Sequence, residues 1–199
     1  MPRLLLAHCV FLIAAIAVAA CGGDDDAHPA SATPATATPT STPTVAFALT
    51  STAFADGGAI PAAFTCDGAS TSPPLSWAGI PAGAKGLILI VEDPDAPGGT
   101  FDHWTVYAIA AEAGGFPPAA SPRPGGMAGP VMEGLNGAGK IGYLGPCPPA
   151  GQQHRYRFSL LAVDAALALP PGRPKAAVLD AAAGHTLATA TLSGTYRRP

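Results

Sequence analysis

Glycine and proline set the limits on what this chain can fold into. They supply 24 and 23 of its 199 residues, and beyond residue 46 they interrupt the apolar segments again and again. Both weaken helix interiors and mark turns. The short runs left between them suit strands joined by long surface loops. Residues 47–50 open this region as a strand. Residues 86–91 are apolar throughout and are expected to be buried on both faces. Residues 103–109, rich in aromatic and β-branched side chains, should lie beside them. Residues 156–163 alternate and then turn apolar, and residues 189–196 offer a last strand. One helix is expected over 175–187, with Pro174 near its start and Ala177, Val178, Ala181 and Leu187 mostly on one face. His185 then belongs to that helix as a structural residue. Residues 112–141 show no periodicity and read as an irregular excursion. The fold class is therefore mainly β with minor α.

The first 45 residues stand apart. Arg3 precedes an apolar run over 4–20 that is slightly short for a comfortable membrane span and ends in small side chains, as a cleaved export signal does. Val18-Ala19-Ala20-Cys21 reads as a lipobox, in which the cysteine takes a diacylglyceryl thioether and becomes the new N-terminus. An ordinary secretory signal and an uncleaved anchor are the alternatives. Buried acyl methylenes contribute about 0.8 kcal/mol each, so several chains on one cysteine hold a protein firmly on a membrane. Asp24, Asp25 and Asp26 follow, and then a stretch of Ala, Thr, Ser and Pro with nothing large to bury, which suits an extended tether. The expected organisation is a signal peptide over 1–20, lipidated Cys21 with its tether over 21–45, and a folded domain over 46–199. The chain is then an exported lipoprotein of the cell envelope, periplasmic or on the outer surface.

Of ten basic residues one, Arg3, lies in the leader, and of thirteen acidic residues three follow Cys21. The domain keeps nine basic and ten acidic residues, with no basic run longer than Arg197-Arg198, which argues against a nucleic-acid partner. Affinity for an anion must come from a local site. Cys9 falls in the leader and Cys21 is the lipidation site. Cys66 and Cys147 remain, and in an exported domain such a pair is expected to form one disulfide, two separate buried thiols being the alternative. Neither sits in a Cys-x-x-Cys pair, so a metal site built on them is the weaker reading.

Polar residues gather where apolar strands end, which is where rigid scaffolds carry function. Glu92-Asp93-Pro94-Asp95-Ala96-Pro97 follows the strongest strand, Asp102-His103-Trp104 opens the next, and residues 142–151 lead into His154-Arg155-Tyr156. Two imidazoles and a phenol can donate to oxygen, and the Gly/Pro loop can bring backbone N–H groups near a ligand. Asp93 or Asp95 is expected to fix the histidine tautomers and raise their pKa values. Asp95 is equally suited to capping its own loop. Arg155 and Arg157 alternate with this set and fit a solvent face. No Gly-x-Ser-x-Gly elbow and no nucleotide-binding glycine motif before a helix is present.

These blocks carry a resemblance. Asp93-Pro94-Asp95-Ala96-Pro97, His103-Trp104, Gly145-Pro146-Cys147-Pro148-Pro149 and His154-Arg155-Tyr156 resemble signature segments of the phosphatidylethanolamine-binding proteins, above all their bacterial Raf-kinase-inhibitor-like (YbhB/YbcL-like) branch. Cys66-Asp67-Gly68, residues 72–77, residues 184–188 and Gly194-Thr195-Tyr196 match as well, so the resemblance runs from about residue 47 to 198. It implies a central antiparallel sheet packed by a smaller one, with a helix near the C-terminus. It also implies a small cavity accepting anions such as phosphate groups, lined by Asp93, Ala96, Pro97, His103, Pro149, His154 and Tyr156. His103, His154 and Tyr156 are assigned as anion donors and Asp93 as the orienting carboxylate. Asp102 stands where many relatives place an aromatic side chain, and the spacing from Pro149 to His154 is shorter than in animal members.

The leading expectation is a non-enzymatic binding domain for phosphorylated or other anionic ligands, lipid head groups among them, without a cofactor. A protein inhibitor of a kinase or protease, acting on an unidentified protein partner, is the second reading. A metal-dependent hydrolase ligated by His103, His154 and Asp93 is the third.

Overall fold

The computed structural model describes residues 45–121, 127 and 129–199. The signal segment, Cys21 and the tether lie outside the described residues. Ten elements organise the domain: β1 (Ala48–Thr50), β2 (Gly58–Ala59), β3 (Leu75–Ala78), β4 (Gly86–Asp93), β5 (Phe101–Ile109), β6 (Gly115–Phe116), β7 (Met132–Glu133), β8 (Gln153–Val163), α1 (Lys175–Ala181) and β9 (Thr186–Arg197). A three-stranded sheet has the order β1-β3-β6, and a six-stranded sheet the order β2-β9-β8-β4-β5-β7. Neighbours are antiparallel except β2 and β9. The mainly β class with a helix near the C-terminus holds.

The unbroken apolar run predicted a strand buried on both faces, and β4 is one. All of its residues are buried, and it pairs with β5 on one side and β8 on the other. Leu87, Leu89 and Val91 join Trp104, Phe158 and Leu160 in the core between the sheets. The small sheet closes that core with Leu49, Trp77 and Phe116, and the Trp77 and Phe116 rings meet edge to face at 5.1 Å. On the opposite face Ile88 and Ile90 pack with Tyr107, Val178 and Ala182. Each such side chain contributes about 1.5–3 kcal/mol when fully buried.

Three expectations require correction. The helix stops at Ala181, six residues short of the expected end. Gly184 adopts φ +79°, His185 N–H turns back to the Ala182 carbonyl, and Thr186 pairs with Val163 as β9 begins. Alanines favour helix here, but the β-branched residues that follow gain a full ladder against β8. The buried helix face is accordingly Val178 and Ala182, while Ala181 and Leu187 are exposed. His185 lies in the turn after the helix, pairing through Nδ1 with Asp164 at 2.8 Å. Finally, residues 112–141 include two short strands, β6 and β7, that extend both sheets.

β8 begins at Gln153, three residues before the expected start. His154, Tyr156, Phe158 and Leu160 are buried on one face, while Arg155 and Arg157 are exposed on the other. On that outer face Arg157 and Lys175 both pair with Glu92, and Lys175 also reaches Asp102. Burial pushes the Glu92 pKa up, but the two cations outweigh it and hold the pKa below its ordinary value. A carboxylate depressed in the folded state contributes stability above its unfolded pKa, near 4.3, that is lost as pH falls through its folded value. Wild type should therefore be more stable than Glu92→Gln at pH 7, with the gap closing below about pH 4. Urea unfolding across pH 3–7 checks this, and a gap indifferent to pH would contradict it.

Candidate anion-binding cavity

The site forms where β4 ends and β5 and β8 begin. Asp93, the last residue of β4, caps its own loop by accepting the Asp95 N–H at Oδ1 (2.9 Å). Its other oxygen accepts from His154 Nδ1 at 2.7 Å, and both side chains are buried. Asp95 turns away from the histidines. It accepts from Arg155 through the backbone N–H (2.9 Å), Nε (3.0 Å) and Nη2 (2.7 Å), and these bonds hold its pKa down to about 2.

His103 is fixed by a different partner from the one expected. Its Nδ1 donates to the Leu144 carbonyl at 2.7 Å, and Leu144 N–H donates back to the His103 carbonyl at 2.9 Å. Burial lowers the pKa of this imidazole despite the Leu144 bond and the charges of Asp93 and Asp102. The expectation of a carboxylate that raises it is corrected accordingly. Phe101 stands edge-on to the ring at 5.0 Å and Tyr156 at 5.2 Å. Phe101 thus supplies an aromatic neighbour that Asp102, turned to Lys175 on the outer face, does not.

The loop carrying Leu144 is stitched to the segment around Cys66. Tyr143 hydroxyl donates to the Phe64 carbonyl (2.9 Å), Gly145 N–H to Ser70 Oγ (2.9 Å) and Cys66 N–H to the Pro146 carbonyl (3.0 Å). A Cβ at Gly145 would stand 2.7 Å from Ser70 Oγ and 2.9 Å from the Phe64 carbonyl oxygen, so this approach needs glycine. The disulfide Cys66–Cys147 joins the same two segments.

Together these elements enclose a cavity of about 450 Å³. Asp93, Ala96, Pro97, His103, Pro149 and His154 line it, as do both bridged cysteines. Tyr156, assigned from the sequence as an anion donor, lies instead beneath His103, fully buried and outside the lining. Its hydroxyl has no partner at hydrogen-bonding geometry, and burial first, then the Asp93 charge, push its pKa up.

Sequence reasoning missed Arg198, the one Lys or Arg among the lining residues. Its Nε lies 3.4 Å from Asp67 Oδ1, and Asp67 Oδ2 accepts from the Tyr196 hydroxyl at 2.6 Å. The β9 ladder carries Arg198 N–H to the Gln152 carbonyl, beside the start of β8. The ordered pairing of β8 with β9 was the available signal.

The residue set proposed for a metal does not converge. His154 Nδ1 and Asp93 Oδ2 are spent on each other, and His103 Nδ1 on a carbonyl. Among the described residues no group of three or more His, Cys, Asp or Glu side chains is placed to hold a metal ion.

Two packed sheets with a half-polar cavity at the strand ends define a small-ligand-binding domain. The chain belongs to the phosphatidylethanolamine-binding protein family, whose model matches residues 50–197. It is 48% identical over 149 residues to a UPF0098 protein of Methanothermobacter thermautotrophicus, covering 73% of this chain and 95% of that one. A putative lipoprotein, LppC of Mycobacterium tuberculosis, is 41% identical over 179 residues, covering 88% of this chain and 86% of that one. A solved putative phosphatidylethanolamine-binding protein homologue from Chlamydia trachomatis superposes with TM-score 0.70 at 42% identity, over 77% of this chain and 99% of that one. That relative is matched almost end to end, so the fold stands without a tether. YbcL of Escherichia coli superposes with TM-score 0.72 at 31% identity, over 78% of this chain and 100% of that one. Members of the family are characteristically non-enzymatic.

Proposed function

We propose that this protein is a membrane-tethered, exported binding domain whose cavity takes phosphorylated or other anionic small ligands. The observation that carries the reading is the meeting of His103, His154 and Arg198 around one buried-walled cavity, with the nearest carboxylate, Asp93, already engaged by His154 and the Asp95 N–H. The apolar walls, Ala96, Pro97, Phe101 and Pro149, leave room for an organic substituent on the anion. Lipid head groups fall in this class. Anchoring through Cys21 is supported by the Val18-Ala19-Ala20-Cys21 pattern. It is supported further by the lipoprotein relative, whose alignment of 179 residues is longer than the folded domain.

An NMR titration of residues 46–199 with phenyl phosphate, following the imidazole signals, tests the cavity. Saturable shifts at His103 and His154 that disappear in Arg198→Ala are expected. Histidine signals that stay in place at millimolar ligand would sink the reading. For the anchor, metabolic labelling with a palmitate analogue should mark the wild-type chain and leave Cys21→Ala unmarked.

A further inference from the structure

His103 turns a lone pair, and no proton, toward the cavity. The Leu144 carbonyl can only accept, so Nδ1 holds the ring hydrogen and Nε2 is bare in the neutral imidazole. Nε2 has no hydrogen-bond partner in the protein. Among the described residues the only buried side-chain polar atoms lacking a partner are Thr105 Oγ1 and Tyr156 Oη. Nε2 is therefore reached by solvent, and His103 lines the cavity. The residue is only 4% exposed, which disfavours a second proton on the ring.

The charged and titratable groups around the ring are few. From β4 comes Asp93, committed to His154 Nδ1 and the Asp95 N–H. From β8 come His154 and, under the ring, the Tyr156 phenol. On β5 itself Asp102 points to Lys175 on the other face of the sheet. Beyond β9 stands Arg198, steadied by Asp67. Arg198 is thus the fixed positive charge of the cavity, and His103 Nε2 an acceptor in its wall.

An anionic oxygen placed against that acceptor meets lone pair with lone pair unless a proton lies between them. A phosphodiester has none to supply near neutral pH. A phosphomonoester has one, with a pKa near 6. We propose that the cavity selects phosphomonoesters over phosphodiesters by binding them with one proton shared between a phosphate oxygen and His103 Nε2, while Arg198 supplies the permanent charge. This rests on the anion-binding reading above and names the ligand class of that same site.

The sign of the pH dependence is diagnostic. Simple charge attraction to Arg198 favours the dianion, so affinity for a monoester would tighten as pH rises. A shared proton demands the opposite, because above the ligand's pKa that proton must be taken from solvent. Calorimetric titration of residues 46–199 with phenyl phosphate and with methyl phenyl phosphate, from pH 5.5 to 8.5, separates the two. The expected result is a Kd for the monoester that rises about tenfold per pH unit above pH 7 relative to the diester. At pH 8, titrations in buffers of different ionisation enthalpy should report uptake of about one proton per monoester bound and none for the diester. His103→Gln, which offers a carboxamide N–H in place of the lone pair, should abolish the uptake and narrow the preference. The proton count on wild type decides the matter even if that variant folds poorly. Equal affinities with parallel pH profiles, or no proton uptake at pH 8, would overturn the shared proton and leave the anion site standing. If neither ester binds at any pH, both readings fall together.

Discussion

Replacing both Cys66 and Cys147 by serine is expected to lower the midpoint of thermal unfolding by about 10 to 15 °C. The two cysteines are 81 residues apart in sequence. On the chain-entropy model, closing a loop of that length stabilises the folded state by about 4.5 kcal/mol, chiefly by restricting the unfolded chain. The native contacts should survive the change. Tyr143, Gly145 and Cys66 still tie the two segments together by side-chain and backbone hydrogen bonds, and the Leu144 carbonyl still receives His103 Nδ1. The variant should therefore fold to the same cavity at room temperature and fail early on heating. Scanning calorimetry of the wild type with and without a strong reductant, beside the double serine variant, checks this. Coincident curves for the two reduced forms are expected, and a drop of less than about 3 °C would mean that the bridge contributes almost nothing.

How much of this was legible in the sequence depended on whether the governing interaction was local. β4 could be read because six consecutive apolar residues leave no face for water, and its central place follows from that alone. The alternation of His154, Tyr156 and Phe158 with Arg155 and Arg157 likewise placed one set inward and the other outward. The end of α1 could not be read in the same way. The alanines favour helix up to residue 183, and what stops it is the pairing of Thr186 with Val163, a contact that no window of local sequence contains. β6 and β7 are two residues each, too short for any periodicity, and exist because the sheet edges they join already stand there.

The cavity divides along the same line. Asp93, His103 and His154 were visible because each sits at the end of an apolar strand. Their partners were less so. His103 is held by a backbone carbonyl, which carries no residue-specific mark, and so the tautomer and the lowered pKa both depended on the loop that brings Leu144 across. Tyr156 shares the inward face of β8, but two residues farther along the strand it passes under the cavity floor and out of reach of a ligand. Arg198 lies beyond every recognisable motif and enters the site only through the register of β9 against β8.

Asp93→Ala is expected to cost about 3 kcal/mol of stability and to weaken phosphomonoester binding by about ten- to a hundredfold. Two opposing effects must be weighed. Deleting a negative charge beside an anion site favours the anion. Deleting the acceptor of His154 Nδ1 frees that ring to turn and releases the cap on the loop that carries Ala96 and Pro97. The carboxylate already accepts one hydrogen bond at each oxygen, both at 2.7–2.9 Å, so its charge is partly spent inside the wall and its repulsion of a ligand is damped. The lost positioning is not offset by anything, because no other side chain reaches His154 Nδ1. A hydrogen bond to a charged group contributes about 1.5–3 kcal/mol, which sets the expected loss in affinity. Urea unfolding and a phenyl phosphate titration of the same variant measure the two effects separately. Weakened binding with a broadened His154 signal would establish Asp93 as the residue that orients the site. Tighter binding would show that its charge, and not its grip on His154, governs what the cavity accepts.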